Sequence, residues 1–503
     1  MGKEFILSLM VIIPLGTAFV ISLFGKYLRN FCDKAIMVSS FLLLALSLYC
    51  RFLLTNTAGT LVYKVGGWNP PFGICMVLDG LSCFMLVTVN IVAFLIALYS
   101  LKYMEQYTDK PKFFTLFSLM VCGMNGVILT GDIFNLFVFV EIASIASYAL
   151  VAFGTEAEEL EASFKYAIMG SIASIFIFIG IALLYGFTST LNMADMAKIL
   201  TVKDSFRLVP FVAVLFLMGF GIKAALVPFH AWLADAHPSA PASISAMLSG
   251  LLIKTLGVYS LVRIFFNVFN AGQVHTVYLK VFMFLGALSI IVGVILAISQ
   301  WDLKRLLAYH SVSQVGYIIL GIGLGTPLGI LGGLYHLFNH SIFKSLLFLN
   351  SGAVDYSAGT RDLKETGGLA KVMPVTYGTS LFASMSIAGV PPFNGFFSKF
   401  LIILACAQAG HIGYGICAVI GSILTLSSFM KVQKFVFLGE LKEKFKKVKE
   451  VPFSMQISMI ILAVVCLLGG LMFVSPLKFF LQDAVNVVTG GMSYSNAVLG
   501  GGK

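Results

Sequence analysis

Charge is what this chain has least of. Of 503 residues only 11% are charged, against 59% hydrophobic, and the mean hydropathy is +0.97. Soluble domains carry about 25% charged residues, so a soluble globular fold is excluded and a polytopic membrane protein is expected. Cysteine is present but unorganised. Cys32, Cys50, Cys75, Cys83, Cys122, Cys406, Cys417 and Cys466 form no C-x-x-C pair, and most sit inside apolar runs. They read as small core hydrophobes, which argues against a disulfide framework or an iron–sulfur centre on this chain. No basic stretch is interleaved with aromatic residues in a soluble segment. The net charge of +11 therefore points to cytoplasmic loops, not to a nucleic-acid partner.

Long apolar runs are what the chain has in abundance. About fourteen reach the roughly 20 residues that suit a bilayer core of about 30 Å. They lie near 5–25, 34–54, 75–100, 113–130, 133–153, 164–186, 208–229, 242–264, 279–299, 305–323, 326–350, 375–408, 411–438 and 453–475. Helices are expected, because lipid offers the backbone no other partner and the runs are too long and uniform for barrel strands. The first run, Phe5 to Phe24, is longer than a signal-peptide core and reads as a span. Lys and Arg concentrate in odd-numbered loops, above all in "KVQKFVFLGELKEKFKKVKE", residues 431–450. That bias puts odd loops in the cytoplasm and both termini outside. The basic run reads as a solvated cytoplasmic face; a docking surface for a partner is the lesser reading.

Lys223, Lys254, Lys344 and Lys399 nevertheless lie inside apolar runs, and Glu141 joins them in "NLFVFVEIASIASYAL". Each ionised group at mid-membrane costs at least about 3 kcal/mol. Snorkelling accounts for a charge near a helix end, not for a set of five central ones. Burial disfavours a charged lysine and a nearby carboxylate favours it, so a buried lysine with a movable acidic partner is a switchable proton site. At about 6 Å and an effective dielectric near 20 such a pair interacts by about 3 kcal/mol. Moving one charge through a potential of about 180 mV takes about 4 kcal/mol. The two are comparable, so making and breaking one pair matches the work of moving one proton.

Prolines interrupt two of these runs. Pro228 follows Lys223 by five residues in "GIKAALVPFHAWLADAHPSAPA", and Pro391 and Pro392 precede Lys399 in "IAGVPPFNGFFSKF". Each removes a helix hydrogen bond. Paired interruptions in two halves of a chain mark a transporter's ion path; the plain alternative is two ordinary proline kinks. If they correspond, residues 113–264 and 279–438 form two inverted five-helix units, preceded by 1–112 and followed by 439–503. In "LYHLFNHSIFKSLLF", His336, His340 and Lys344 are spaced four apart. Two histidines at that spacing can hold zinc, but no third or fourth ligand completes the set, so no metal is expected. From His336 to Lys344 the helix rises about 12 Å and drifts about 80°, which describes a ladder of titratable groups. Accessory positions are His230 and His237, flanking "AWLADAHPSAP", which take up protons or cap a loop. Asp132 is an expected N-cap, and Asp79 reads as structural. Lys165 and Lys304 sit at span ends where snorkelling is the default, or extend a proton route, as does His310.

"GDIFNLFVFVEIASIASYAL", "VPFHAWLADAHPSAPASISAMLSGLLIKTLGVYSLVR", "WDLKRLLAYHSVSQVGYI", "YHLFNHSIFKSLLFLNSG" and "GVPPFNGFFSKF" together resemble the antiporter-like subunits of the complex I superfamily. That superfamily includes Mrp-type cation/proton antiporters and membrane-bound group 4 [NiFe] hydrogenases. The resemblance covers about residues 70–440 and is strongest to hydrogenase-linked and Mrp D-type subunits. It implies an all-α fold of about 14 spans with two inverted repeats and broken helices 7 and 12. It implies that Glu141 pairs with Lys223, and that a proton path runs through Lys254, His336, His340 and Lys344 to Lys399. A lysine at that last position departs from the branch that has glutamate there. No cofactor is implied on this chain; partner subunits would carry Fe–S clusters and NiFe. The implied partners are other membrane subunits of a complex I-like, hydrogenase or Mrp assembly, with H⁺, and Na⁺ in the Mrp case, as the ion. The implied location is a prokaryotic cell membrane. The implied role is a non-redox, ion-translocating subunit of a redox-driven pump, or, as the alternative, of an Mrp-type Na⁺/H⁺ antiporter. The short tail after the last run leaves no room for the lateral helix of the distal complex I subunit or the extra domains of the large Mrp subunit.

Overall fold

Backbone groups in lipid must be satisfied within the segment that crosses it, and the apolar runs do so as helices. The computed structural model describes residues 3–27, 30–56, 59–203, 207–272, 276–470 and 477–500. Helices α1 (Ile6–Phe24) and α2 (Phe31–Thr55) lead through a small hairpin into α3 (Gly80–Tyr103), α4 (Lys110–Leu129), α5 (Ile133–Val151) and α6 (Ala157–Thr188). Short α7 (Met193–Val202) precedes α8 (Leu208–Lys223) and α9 (Ala231–Ser239). The next helix is composite. It opens as α10 (Ala242–Met247), widens to a π-helix over Leu248–Tyr259, returns for one turn as α11 (Ser260–Val262), and widens again over Arg263–Val268. Then come α12 (Thr276–Ile298), α13 (Leu303–Gly323), α14 (Pro327–Ala358), α15 (Pro374–Ala388), α16 (Asn394–Gln408), α17 (Ile412–Val432) and α18 (Phe453–Leu468). Two short helices, α19 (Leu477–Thr489) and α20 (Ser493–Leu499), close the chain.

Among the described residues ten helices are long and apolar enough to cross a membrane. Helices α8, α16 and α18 are apolar but shorter. The composite helix is buried along its whole length, as is nearly all of α13, and α14 is buried almost without interruption from Gly329 to Val354. These three form the centre of the bundle, and among the described residues they carry seven of the twelve buried Lys, Arg, His and Asp side chains. The last run, expected over 453–475, is helical to Leu468; residues 471–475 of it lie outside the described residues.

An all-α expectation misses one feature. Leu61–Lys64 (β1) and Cys75–Leu78 (β2) pair antiparallel, with Leu61 opposite Leu78 and Lys64 opposite Cys75. Two short β-prone runs flank a Gly-Gly-Trp-Asn-Pro-Pro-Phe-Gly connection, which is hairpin chemistry that a search for 20-residue runs passes over.

Both proline interruptions break their helices, and in the same way. After α8, Ala225 N donates to Ile222 O, Leu226 N to Gly221 O, and Phe229 N to Leu226 O. After α15, Gly389 N donates to Ser386 O, Val390 N to Met385 O, and Phe393 N to Val390 O. Ala225 and Gly389 both take left-handed φ, +55° and +80°. The ends of two other helix pairs also match. Asp132 caps α5 through Asn135 N at 2.7 Å, as expected, and Asp302 caps α13 through Arg305 N at 2.8 Å. Each cap makes an isolated antiparallel bridge to a later segment, Asp132 to Asn192 and Asp302 to Asp362.

Candidate functional site

Lys223 is the last residue of α8, and the break leaves its side chain against α5. Its Nζ lies 3.6 Å from Glu141 Oε1 and donates to Ser144 Oγ at 2.9 Å and Tyr148 Oη at 3.3 Å. Glu141, Ser144 and Tyr148 share one face of α5, by their spacing of three and four. Ser174 of α6 donates to the same Glu141 oxygen at 2.5 Å. The lysine side chain is 3% exposed and the glutamate 28%. The pair therefore has a buried cationic end and an acidic end at the rim of the chain.

Lys254 lies in the first π-wound stretch, fully buried. Its Nζ donates back to the carbonyls of Ser249 and, at 3.1 Å, Gly250. Lys344 on α14 is equally buried. Its Nζ has no hydrogen-bond partner among the described residues and lies over the Phe348 ring at 5.6 Å. His336 is held by Ser398 Oγ at 2.9 Å and Gln314 Oε1 at 3.2 Å. His340 has a neighbour in His336, ring centroids 6.3 Å apart, but neither of its nitrogens has a hydrogen-bond partner among the described residues. Both histidines thus face the middle of the bundle. Lys399, on α16, reaches back across the break to Ile387 O at 2.7 Å and Ser422 Oγ at 3.3 Å, over the Tyr317 ring at 4.7 Å. Among the described residues Lys223 alone of these four lysines has a carboxylate within ion-pair distance. Among the same residues no three His, Cys, Asp or Glu side chains gather as metal ligands.

The accessory positions divide. Lys165 is half-exposed, bound to Glu161 and Asp235, as a span-end lysine should be. Lys304 corrects its expectation. It is 2% exposed and does not snorkel, because the turn after α9 brings Ala240 O to 2.8 Å of its Nζ. His237 is also buried and not at the surface, its ring stacked on Phe348 with centroids 4.6 Å apart. His230 is partly exposed beside Tyr309. His310 is buried with Nε2 at 2.8 Å from Ser428 Oγ. Burial raises the Asp132 carboxyl above its ordinary range, against the pull of the Asn135 and Phe134 amides.

Sequence reasoning misses one buried ion pair altogether. Arg263 grips Asp79 with both arms of its fork, at 2.7 and 2.9 Å, and both are almost wholly buried. Asp79 reads as structural, and it does cap α3 through Ser82 N. Arg263 ends an apolar run, where an arginine ordinarily reaches water. The one sequence signal is the Asp-x-x-Ser cap pattern opening α3.

The family model described as NADH:quinone oxidoreductase/Mrp antiporter, TM matches residues 130–425. A second, described as NADH-ubiquinone oxidoreductase (complex I), chain 5 N-terminus, matches residues 63–114. The D-type Na⁺/H⁺ antiporter subunit of Alkalihalophilus pseudofirmus is 36% identical over 437 residues, 86% of this chain and 88% of the relative. A chain of the Mrp complex from Dietzia sp. superposes with TM-score 0.91 at 31% identity, covering 99% of this chain and 100% of the other. A chain of the membrane-bound sulfane sulfur reductase, an archaeal respiratory membrane complex, gives 0.90 at 30% identity, covering 98% and 99%. With its buried lysines, its two matched helix breaks and these relatives, the chain belongs to the NADH:quinone oxidoreductase/Mrp antiporter family of membrane proteins, as an antiporter-like subunit.

Proposed function

We propose that this chain moves protons across a prokaryotic cell membrane as the non-redox subunit of a larger membrane complex. The observation that carries the reading is the row of buried basic groups. Lys223, Lys254, His336, His340, Lys344 and Lys399 are all buried, and among the described residues one carboxylate, Glu141, pairs with them, at Lys223. So many buried cationic and imidazole groups have no structural use. Charge changes in a neighbouring subunit open or close the Glu141–Lys223 pair from its exposed acidic end. Lys223 then exchanges a proton with Lys254, and the proton continues through His336, His340 and Lys344 to Lys399. The Lys344 ammonium and the His340 ring, without partners among the described residues, are free to bond water or take up the proton. Titrations along such a row are coupled, so no one proton affinity belongs to one residue.

The driving partner is a redox complex of the hydrogenase or complex I kind, whose other subunits carry Fe–S clusters and NiFe. A second reading, a subunit of an Mrp-type Na⁺/H⁺ antiporter without a redox partner, is favoured by the 36% identity to a D-type antiporter subunit. We further infer that 113–264 and 279–438 are inverted five-helix repeats within about fourteen spans, with both termini outside. The bond-for-bond likeness of the two breaks and the paired Asp132–Asn192 and Asp302–Asp362 bridges support the repeat. The test is the complex reconstituted in vesicles and assayed for pH and Na⁺ gradients. A pH gradient formed only with an electron donor supports the first reading. Na⁺-dependent proton exchange without any donor supports the second. Neither gradient under any drive would refute both.

A further inference from the structure

We propose that Arg263 is a positioning residue for Lys254, and that its ion pair with Asp79 holds the rotational phase of the π-wound helix. The proposal rests on the reading of Lys254 as a proton carrier, and it begins with the winding itself. π-Helices are rare and mostly single turns, yet here one runs for twelve residues and a second follows after three. A π turn takes up more residues than the 3.6 of an α turn. Slipping even part of the stretch into the α pattern rotates everything beyond the slip. Lys254 is sensitive to this, because among the described residues its ammonium is bonded only to carbonyls of its own helix, those of Ser249 and Gly250. Among the described residues nothing from another helix pins it in place by an ion pair.

Three side chains beyond Lys254 supply the missing anchor. Tyr259, Arg263 and Asn267 recur every four residues and are bonded to one another. Arg263 donates from Nε to Tyr259 Oη at 3.3 Å and from its terminal nitrogens to Tyr259 Oη at 3.1 Å and Asn267 Oδ1 at 3.2 Å. Each member also reaches a different external element. Tyr259 Oη donates to Ile128 O of α4 at 2.6 Å. Arg263 takes Asp79, the cap of α3. Asn267 Nδ2 donates to Val487 O of α19 at 2.9 Å, and the Tyr494 ring of α20 covers the guanidinium at 4.9 Å. The far end of the composite helix is thus hydrogen-bonded to α4, the cap of α3 and α19, and covered by α20. The near end is tied by neutral bonds, from Ala242 N to Tyr103 Oη at 3.2 Å, Ser245 Oγ to His237 O at 2.9 Å and Ser345 Oγ to Ala246 O at 3.3 Å, and by the Ser249–Ser311 hydroxyl pair at 2.6 Å; among the described residues the ion pair of this helix is at its far end. A planar, permanently charged fork gripping a carboxylate in two bonds fixes angle as well as distance. The Arg263 clamp is therefore what sets the direction in which Lys254 points.

The test places a probe at position 254 itself. In the full chain within its complex, the thiol introduced by Lys254→Cys is labelled with a small methanethiosulfonate, and the peptide is quantified by mass. Adding Arg263→Gln is expected to change the labelling rate by more than about twofold, the limit within which distant, independent sites behave additively. Arg263→Lys, which keeps the charge and loses the fork, falls between. With Lys254 intact, Arg263→Gln lowers ion transport per assembled complex. An unchanged labelling rate in folded, assembled Arg263→Gln complex overturns the proposal. Should Arg263→Gln fail to assemble, Tyr259→Phe, which removes one rung and no charge, carries the same comparison; labelling unchanged there overturns it equally. Labelling does not depend on transport, so a labelling shift together with unchanged transport by the unlabelled Lys254→Cys complex would refute the proton-carrier reading and leave the positioning intact.

Discussion

The break after α8 and the break after α15 share three backbone hydrogen bonds, residue for residue, and a left-handed residue at the same place, yet their lysines are held by different means. Lys223 ends the helix before its break and faces a carboxylate on another helix. Lys399 belongs to the helix after its break and reaches back to Ile387 O, a carbonyl at the end of α15. Ile387 occupies the position in the second break that Lys223 occupies in the first, counting from the left-handed residue. The end of a helix carries partial negative charge on its unpaired carbonyls, worth about 0.3–2 kcal/mol to a cation. That stabilisation is fixed in the fold. A carboxylate is worth more and can be protonated, moved or re-paired. In the proposed pathway the first break would carry the switch and the second a resting place: among the described residues Lys223 but not Lys399 has a carboxylate partner, and that carboxylate lies at the rim.

The strongest way to break this comparison is to remove the switch. Glu141→Ala leaves Lys223 with only Ser144 and Tyr148, as Lys399 has only Ser422 and a carbonyl. Ion translocation per assembled complex is expected to fall by about tenfold or more, which is about 1.4 kcal/mol on the limiting barrier. Unchanged transport and unchanged coupled turnover would sink the role of the pair. Next in size is Gly389→Ala. A Cβ there meets Lys399 Cδ at 3.1 Å and Ser422 Oγ at 3.2 Å, and φ of +80° favours glycine. A loss of about 1–2 kcal/mol in stability, read as a lower melting temperature of the complex, should accompany a several-fold loss of transport. Wild-type transport with a lowered melting temperature would separate the strain from Lys399. Ser422→Ala is milder: it removes one neutral partner worth about 1 kcal/mol and leaves Ile387 O in place. A several-fold change in transport is its upper bound, and a loss as large as that of Glu141→Ala would show the second lysine to be the more finely held.

Much of this is legible in the amino-acid sequence, and the reasons are physical. A lysine in the middle of an apolar run is too costly to be accidental, so Lys223, Lys254, Lys344 and Lys399 stand out. Prolines beside buried lysines in both halves of the chain make both interruptions visible, although α1 runs on through Pro14, and the Asp132 cap follows from its place before α5. What stays hidden depends on contacts between distant segments. Lys304 is buried because the turn after α9 offers it a carbonyl, and nothing near residue 304 announces that. Arg263 sits where an arginine usually reaches water, and its partner Asp79 is 184 residues away in sequence. The π winding leaves no mark, since the residues that form it suit an α-helix equally well. Gln314, Ser398 and Ser422, which hold His336 and Lys399, are ordinary polar residues until the helices are packed.

The smallest effect tests the likeness of the two breaks and not their difference. If both breaks impose the same left-handed turn, the residue best suited to it is glycine, which the second break has and the first lacks. Ala225 at φ +55° bears a penalty of about 1–2 kcal/mol for an L-residue in that region. Ala225→Gly relieves it, while the freer unfolded chain takes back about 0.4–1 kcal/mol. The net expectation is a gain of about 0.5–1 kcal/mol, seen as a rise in melting temperature, with transport unchanged because glycine keeps the backbone bond from residue 225 to Ile222 O. A gain in stability with lost transport would give the strain a function: the turn after Lys223 would have to be held under tension for the lysine to leave its carboxylate. No gain at all would mean that the surrounding helices, and not the residue at 225, set the left-handed turn, and the same should then hold for Gly389.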